Sequence, residues 1–451
     1  MQIGHRSNHS ELRRSLNLVI IGITFGMAFF SVIGSPLGGA PFTGFIRALG
    51  AGDLMYGIIM ALPILGGILQ VFSSYYLEST GKRRSIFLIT GFIHRLLWIP
   101  IAIIPLLFPQ SRMNHAIILI AILITISISC NSIGSVAFLS WMGSLVPSEI
   151  KGRFFSRRTM ISTITTVVVG FSVGWFLDKF PGLMGFTIVF IIISILGAMD
   201  IACFLWIKHP PMIIAKERTP FLKMFTEPFK SKNYMRLIIF VTIWNFGVNF
   251  SGPFFNVYMI EYLKMGYTTI SLYSQVIFSI ATLLFIQNWG KLADRFGYKP
   301  VYKICCAFVI TLPYIWLFAS SKNYYILILM NIISGACWPG IDLANLNMSV
   351  WLAPDKNRSI YIAVYSLITS LIGSALANVC GGAFMQVLRP VLDSKAIPFL
   401  VGQNLSAYHL LFIISGLIRT FAAFVLLPRI YEAKERPVKE LIKTTLHELR
   451  N

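Results

Sequence analysis

The sequence predicts an all-α integral membrane protein of 12 transmembrane helices, arranged as two pseudo-symmetric six-helix bundles. Three observations predict it: apolar runs of spanning length recur along the chain, basic residues alternate between the loops, and the loop chemistry of the first half returns in the second. Of the 451 residues, 56% are hydrophobic and 12% charged, with a mean hydropathy of +0.74. A soluble protein carries about 25% charged residues, so a water-soluble globular domain is excluded. A hydrocarbon core about 30 Å thick takes about 20 helical residues per crossing; twelve crossings use about 240, and the rest supplies connections and tails.

Runs of spanning length lie at 16–36, 53–76, 85–108, 115–146, 154–177, 184–207, 235–261, 268–290, 300–320, 323–352, 359–387 and 407–428. The first follows a polar, basic stretch and exceeds the 7–15 apolar residues of a signal-peptide core, so it is read as a retained span. With the N-terminus cytoplasmic, 29 of the 38 Lys and Arg residues fall on cytoplasmic segments. That bias sets both ends inside and an even number of spans, in a bacterial cytoplasmic membrane. The net charge of +21 is then a topology signal and an anionic-lipid contact, and nucleic-acid binding is not expected.

The six cysteines, Cys130, Cys203, Cys305, Cys306, Cys337 and Cys380, all lie in apolar stretches and read as small core residues, with no metal-ligand spacing and no cofactor implied. The stretch Lys208–Lys232 is basic and holds Pro210, Pro211, Pro220 and Pro228. It reads as a linker, dividing the chain into a first bundle at 1–207, a linker at 208–233, a second bundle at 234–430 and a tail at 431–451. Part of the linker, Phe221–Phe229, and the tail from Pro437 have the apolar and basic spacing of surface-lying amphipathic helices.

Between spans eight and nine the chain reads Gly290-Lys-Leu-Ala-Asp294-Arg295-Phe-Gly297-Tyr-Lys299. Moved back 216 residues, the loop between spans two and three carries Glu78, Gly81, Lys82 and Arg83 with acid, glycine and base in register. The loops after spans four and ten, with Pro147, Lys151 and Arg153 in one and Pro354, Lys356 and Arg358 in the other, also match loosely. Such a repeat implies a duplicated six-helix unit. Here the chain resembles the major facilitator superfamily, whose loop signature is Gly-x-x-x-Asp-Arg-x-Gly-Arg-(Arg or Lys). The second copy matches well, the first is degenerate, and the resemblance covers essentially the whole chain. It implies an alternating-access carrier in which Asp294 and Glu78 act as gate latches, with Arg83, Arg153, Gly290, Arg295, Gly297, Lys299 and Arg358 as parts of the same switches.

A polar group in hydrocarbon must face protein or water, so polar stripes mark cavities or seams. Span one aligns Asn17, Thr24, Ser31 and Ser35; span seven aligns Thr242, Asn245, Asn249 and Asn256; span ten aligns Asn331, Ser334, Trp338, Asp342, Asn345 and Ser349. In the family, spans one, four, seven and ten line the central cavity. The expected cavity residues are therefore Thr24, Ser31, Asn131, Asn245, Asn249, Trp338, Asp342 and Asn345, with Asp342 the candidate for coupling to protons or another cation. Any single Ser or Thr in such a stripe has a competing use, a bond to its own helix backbone. Arg95, Asp200, Asp342 and Arg419 sit at depths of roughly 12–18 Å, counted at 1.5 Å per residue. An unpaired charge there is costly, so Arg95 is expected to pair with Asp200, and Arg419 with Asp342. His94 is expected to be a hydrogen-bonded core residue.

The expected function is a secondary active permease moving a small organic solute by rocker-switch alternating access, as a monomer in the bilayer. The amide and hydroxyl stripes with Trp244 and Trp338 suit a sugar or nucleoside. An efflux pump for amphipathic compounds of the same fold is one alternative, weakened because span five has Gly170 and Gly174 without a Gly-Pro pair and span four lacks a buried arginine. A non-transporting membrane sensor or scaffold is another. No nucleophile, paired-acid or His-Glu-x-x-His arrangement points to an enzyme.

Overall fold

The computed structural model describes residues 2–33, 39–210, 227–354, 358–395, 397–400, 403–432 and 437, with the side chains of residues 2–10, 68, 71, 78, 79, 148, 227 and 359 outside that set. Ser35, Lys356, most of the linker and the tail beyond Pro437 therefore lie outside the described residues, as does the side chain of Glu78. Helices dominate, and the only β-type pairings among the described residues are two isolated bridges.

Among the described residues, twelve helices are long and apolar enough to cross a membrane: Glu11–Ile33, Asp53–Leu77, Arg83–Leu107, Gln110–Leu145, Lys151–Lys179, Leu183–Trp206, Lys232–Tyr262, Tyr267–Phe296, Tyr298–Phe318, Ile326–Trp351, Ile360–Asp393 and Ala407–Arg429. They are called spans one to twelve. The chain is a multi-pass membrane protein, with each span where the hydropathy placed it. One element was not expected: a nine-residue helix, Ala40–Ala48, between spans one and two. It is too short to cross, and it buries Phe42, Phe45 and Ile46, with Phe45 edge-on to Phe190 at 4.9 Å.

The repeated loop glycines both end their helices at positive φ. Gly81 closes span two at φ +65°, its N–H on the Leu77 carbonyl at 2.8 Å. Gly297 closes span eight at φ +97°, its N–H on the Ala293 carbonyl at 2.9 Å. A side chain would be strained at either position, so the motif needs glycine there for backbone geometry alone. Spans seven, eight, eleven and twelve each contain a π-helical turn, at Tyr258–Tyr262, Leu272–Ile277, Leu371–Ala375 and Ala422–Leu426. Such turns interrupt the i→i−4 ladder and redirect the side chains beyond them.

The chain divides into two compact units. The first comprises residues 1–52, 62–218 and 266–271. One of its cores is aromatic: Phe87, Trp141 and Phe204 meet edge-to-face with centroids 4.8–6.0 Å apart, a favoured ring geometry. Residues 266–271 join it because Asp178, at the end of span five, accepts the Tyr267 and Thr268 N–H groups at 2.6 and 2.9 Å. The second unit comprises 53–61, 219–265 and 272–451. Its core stacks Phe255 between Trp316 and Phe412 at 4.8 and 4.9 Å. Residues 53–61 join it through Asn378, which donates to the Met60 carbonyl at 2.9 Å, and through Arg389, which reaches Asp53 at 3.3 Å and Glu261 at 2.7 Å.

Candidate solute-binding cavity

Within the first unit, spans one, three, four, five and six enclose a cavity of about 320 Å³, at the lower end of the roughly 300–1,000 Å³ of small-molecule sites. Its apolar wall includes Ile23, Met27, Phe30, Phe138 and Phe204, and its polar wall Asn131, Ser135, Arg95, Arg158 and Asp200.

The polar wall is organised around the expected buried pair. Arg95 meets Asp200 at 3.1 Å, with side-chain exposures of 6% and 10%. The guanidinium also lies 4.6 Å from the ring centroids of both Phe29 and Phe30, within cation–π range. Space for the pair comes from glycine. A Cβ on Gly26 would stand 2.5 Å from an Asp200 carboxylate oxygen, and one on Gly197 would stand 2.6 Å from Cδ of Arg95. Span five brings a second cation, Arg158, within electrostatic reach of Asp200 and 5.3 Å from the Phe138 centroid. Two bases therefore share one acid. Beside them His94 is a core residue, its Nδ1 2.7 Å from the Ser127 hydroxyl, which also accepts from Trp98 Nε1 at 3.2 Å.

Other expected site residues fare differently. Asn131 lines the cavity. Thr24 and Ser31 do not: their hydroxyls donate to the Ile20 and Ala28 carbonyls of their own helix, and Ser31 is buried. A bond to the helix backbone satisfies such a hydroxyl whether or not its face is wet, and Thr24 is exposed. In the second unit Asn249 donates to the Asn245 carbonyl at 2.9 Å and to Ser374 of span eleven at 3.1 Å, so it also fastens a seam. Asn345 accepts from the Tyr365 hydroxyl. Trp338 is half-buried and Asp342 is exposed.

The second expected ion pair does not form. Arg419 is buried and donates to the Ser251 hydroxyl at 3.3 Å, which in turn donates to Ser415 at 2.9 Å. Among the described residues Asp342 makes no ion pair with it. Equal depth fixes the height of two residues, whereas the directions their helices turn them decide whether they meet.

Two residues expected in the gates make fastening contacts here. Arg83 is 1% exposed and donates to the Ser140 and Pro210 carbonyls at 3.0 and 2.6 Å, to the Ser144 hydroxyl at 2.8 Å and to His209 Nε2 at 3.3 Å. Lys299, its counterpart 216 residues on, is 4% exposed and its ammonium donates to the Pro428 carbonyl at 3.3 Å. In each unit the base of the motif thus ties the start of one span to the chain at or just beyond the end of the last. Beside Lys299, the Glu432 carboxylate accepts the Tyr298 and Lys299 N–H groups at 2.9 and 2.8 Å. Asp294 and Arg153 are exposed, Arg295 lies 5.3 Å over the Phe296 ring, Arg358 is half-buried, and a Cβ on Gly290 would meet nothing within 4 Å.

Comparison with known proteins agrees with this architecture. Residues 237–448 match the model of the Major Facilitator Superfamily. No curated protein matches the chain in sequence. Among solved structures, a mutant of the nucleoside transporter NupG superposes with a TM-score of 0.71 at 14% identity, covering 93% of this chain and 100% of its own. A bacterial homologue of the iron transporter ferroportin, in an inward-facing state, gives 0.68 at 14% identity over 94% and 99%. A bacterial homologue of the lysosomal transporter Spinster gives 0.64 at 13% identity over 95% and 98%. At such identities the likeness is one of fold.

Proposed function

We propose that the chain, whose residues 237–448 match the major facilitator superfamily, is a secondary active transporter that carries a small organic solute by alternating access. The observation that carries this reading is the cavity of the first unit, where Arg95, Arg158 and Asp200 face a largely apolar wall. Charge buried among transmembrane helices is costly unless it serves a task, and a cavity beside it gives that task a place. The six-helix halves at 1–207 and 234–430, joined by 208–233, are the bodies that rock. Asp294, with Arg295, Gly290, Gly297, Arg153, Arg358 and Glu78, supplies contacts that form in one state and break in the other. The charge bias of the loops supports a cytoplasmic position for both termini, and a bacterial cytoplasmic membrane is the proposed location.

Protons are the proposed coupling ion and Asp342 the coupling acid, because it is exposed on a span and makes no ion pair among the described residues. The test is uptake into proteoliposomes of solutes first selected by thermal shift on the purified protein, with and without an imposed proton gradient. Concentrative uptake under the gradient is expected, and Asp342→Asn should abolish accumulation while leaving solute exchange. Absence of uptake for every stabilising solute refutes the transport reading. Full accumulation by Asp342→Asn refutes the coupling role.

A further inference from the structure

We infer that the cavity of the first unit takes a small organic anion with an apolar or aromatic body, and that Arg158 is the residue that holds its charge. This deepens the proposed function and rests on the reading that this cavity is the solute site.

The charge count comes first. The charged groups lining the cavity are Arg95, Arg158 and Asp200, which leaves one formal positive charge in excess. Asp200 is committed to Arg95 at 3.1 Å, and the Arg95 guanidinium is held over Phe29 and Phe30. Arg158 is the cation left over. Among the described residues its Nε is buried with no hydrogen-bond partner, and its only ring contact there is with Phe138 at 5.3 Å. A buried donor with no acceptor costs free energy that a ligand acceptor would return, and a guanidinium is built to grip a carboxylate. In a site walled by low-dielectric side chains, an unneutralised cation raises the local concentration of anions and repels cations.

The rest of the wall sets the remainder of the molecule. Ile23, Met27, Phe30 and Phe138 offer apolar and aromatic surface, and Asn131 adds an amide that can bond a polar substituent. At about 320 Å³ the cavity equals about ten waters of liquid volume, the scale of a single substituted ring or a short chain. A neutral sugar would leave Arg158 unneutralised and would set hydroxyls against the apolar wall. A cation would add a second uncompensated charge.

The test uses the purified full chain and two series of probes at millimolar concentration: benzoate, benzamide and benzylamine, then hexanoate, hexanamide and hexylamine. Both carboxylates should raise the melting temperature, and their amides and amines should not. Arg158→Gln should weaken benzoate binding about tenfold or more, and Arg158→Lys should recover part of it. The lysine variant also shows that a loss in the glutamine variant is not a folding failure. No shift with either carboxylate, equal shifts with an amide or amine, or wild-type benzoate affinity in Arg158→Gln overturns the inference. Uptake of radiolabelled benzoate separates the two readings. Arg158-dependent binding without uptake leaves the anion site standing and removes the transport reading. Uptake of a neutral solute that is indifferent to Arg158→Gln does the reverse.

Discussion

Removing the acid from the Arg95–Asp200 pair should cost more than removing the base. The pair is 3.1 Å apart and almost fully buried, so its gross attraction at an effective dielectric of about 20 is about 5 kcal/mol. Breaking such a pair from one side costs about 3–5 kcal/mol, because the survivor keeps its desolvation penalty without its partner. The two survivors are not equivalent. Asp200→Asn leaves Arg95 and Arg158 together in one cavity with no acid, and the full penalty is expected. Arg95→Gln leaves Asp200 with Arg158 still in electrostatic reach, so the charges remain balanced. It forfeits two cation–π contacts at about 0.5–1 kcal/mol each, which brings its cost to about 2–3 kcal/mol. The double variant should cost less than the sum of the singles by about 2 kcal/mol. Equilibrium unfolding in mixed micelles at neutral pH measures all four corners of the cycle. A coupling below about 0.5 kcal/mol, or Arg95→Gln costlier than Asp200→Asn, would refute the reasoning.

Gly26→Ala should destabilise by about 1–3 kcal/mol, since its Cβ would stand 2.5 Å from the Asp200 carboxylate, while Gly67→Ala, with nothing within 4 Å, should be neutral or better by up to about 1 kcal/mol in the same unfolding assay. Burial and the neighbouring Arg83 and Arg84 lower the pKa of His209, which must be neutral to accept from Arg83. The folded state then binds fewer protons than the unfolded one. This stability is complete above about pH 6.5 and is lost as the pH falls through the lower folded pKa, and His209→Gln should flatten that slope in thermal scans from pH 7.5 to 5. Glu432→Ala should cost about 1 kcal/mol by freeing the Tyr298 and Lys299 N–H groups, with Glu432→Gln intermediate, again read by unfolding. Arg389 pairs with Asp53, Glu261 and Asp393, so Arg389→Gln should cost about 2 kcal/mol and Glu261→Gln under about 1, the partial exposure of these groups keeping both values modest.

The sequence alone determined the number of spans, their limits to within a few residues, the repeat and the buried Arg95–Asp200 pair. All of these follow from terms that act along the chain: hydrocarbon thickness fixes helix length, a left-handed turn requires glycine at Gly81 and Gly297, and a charge in lipid demands a partner at its own depth. The tertiary structure decided which faces meet. Arg419 found Ser251 rather than Asp342, because depth says nothing of the direction in which a helix turns its side chain. Thr24 and Ser31 spend their hydroxyls on their own helix, a use that angular clustering cannot tell from a wet face. Arg158 read as one more basic residue flanking a span, and Arg83 and Lys299 read as gate charges. Their neighbours across the fold, Asp200 and Phe138 for the first and the Pro210 and Pro428 carbonyls for the others, come from segments 20 to more than 120 residues away. Local pattern carries the terms a residue meets along its own helix, and only packing brings together groups so distant along the chain.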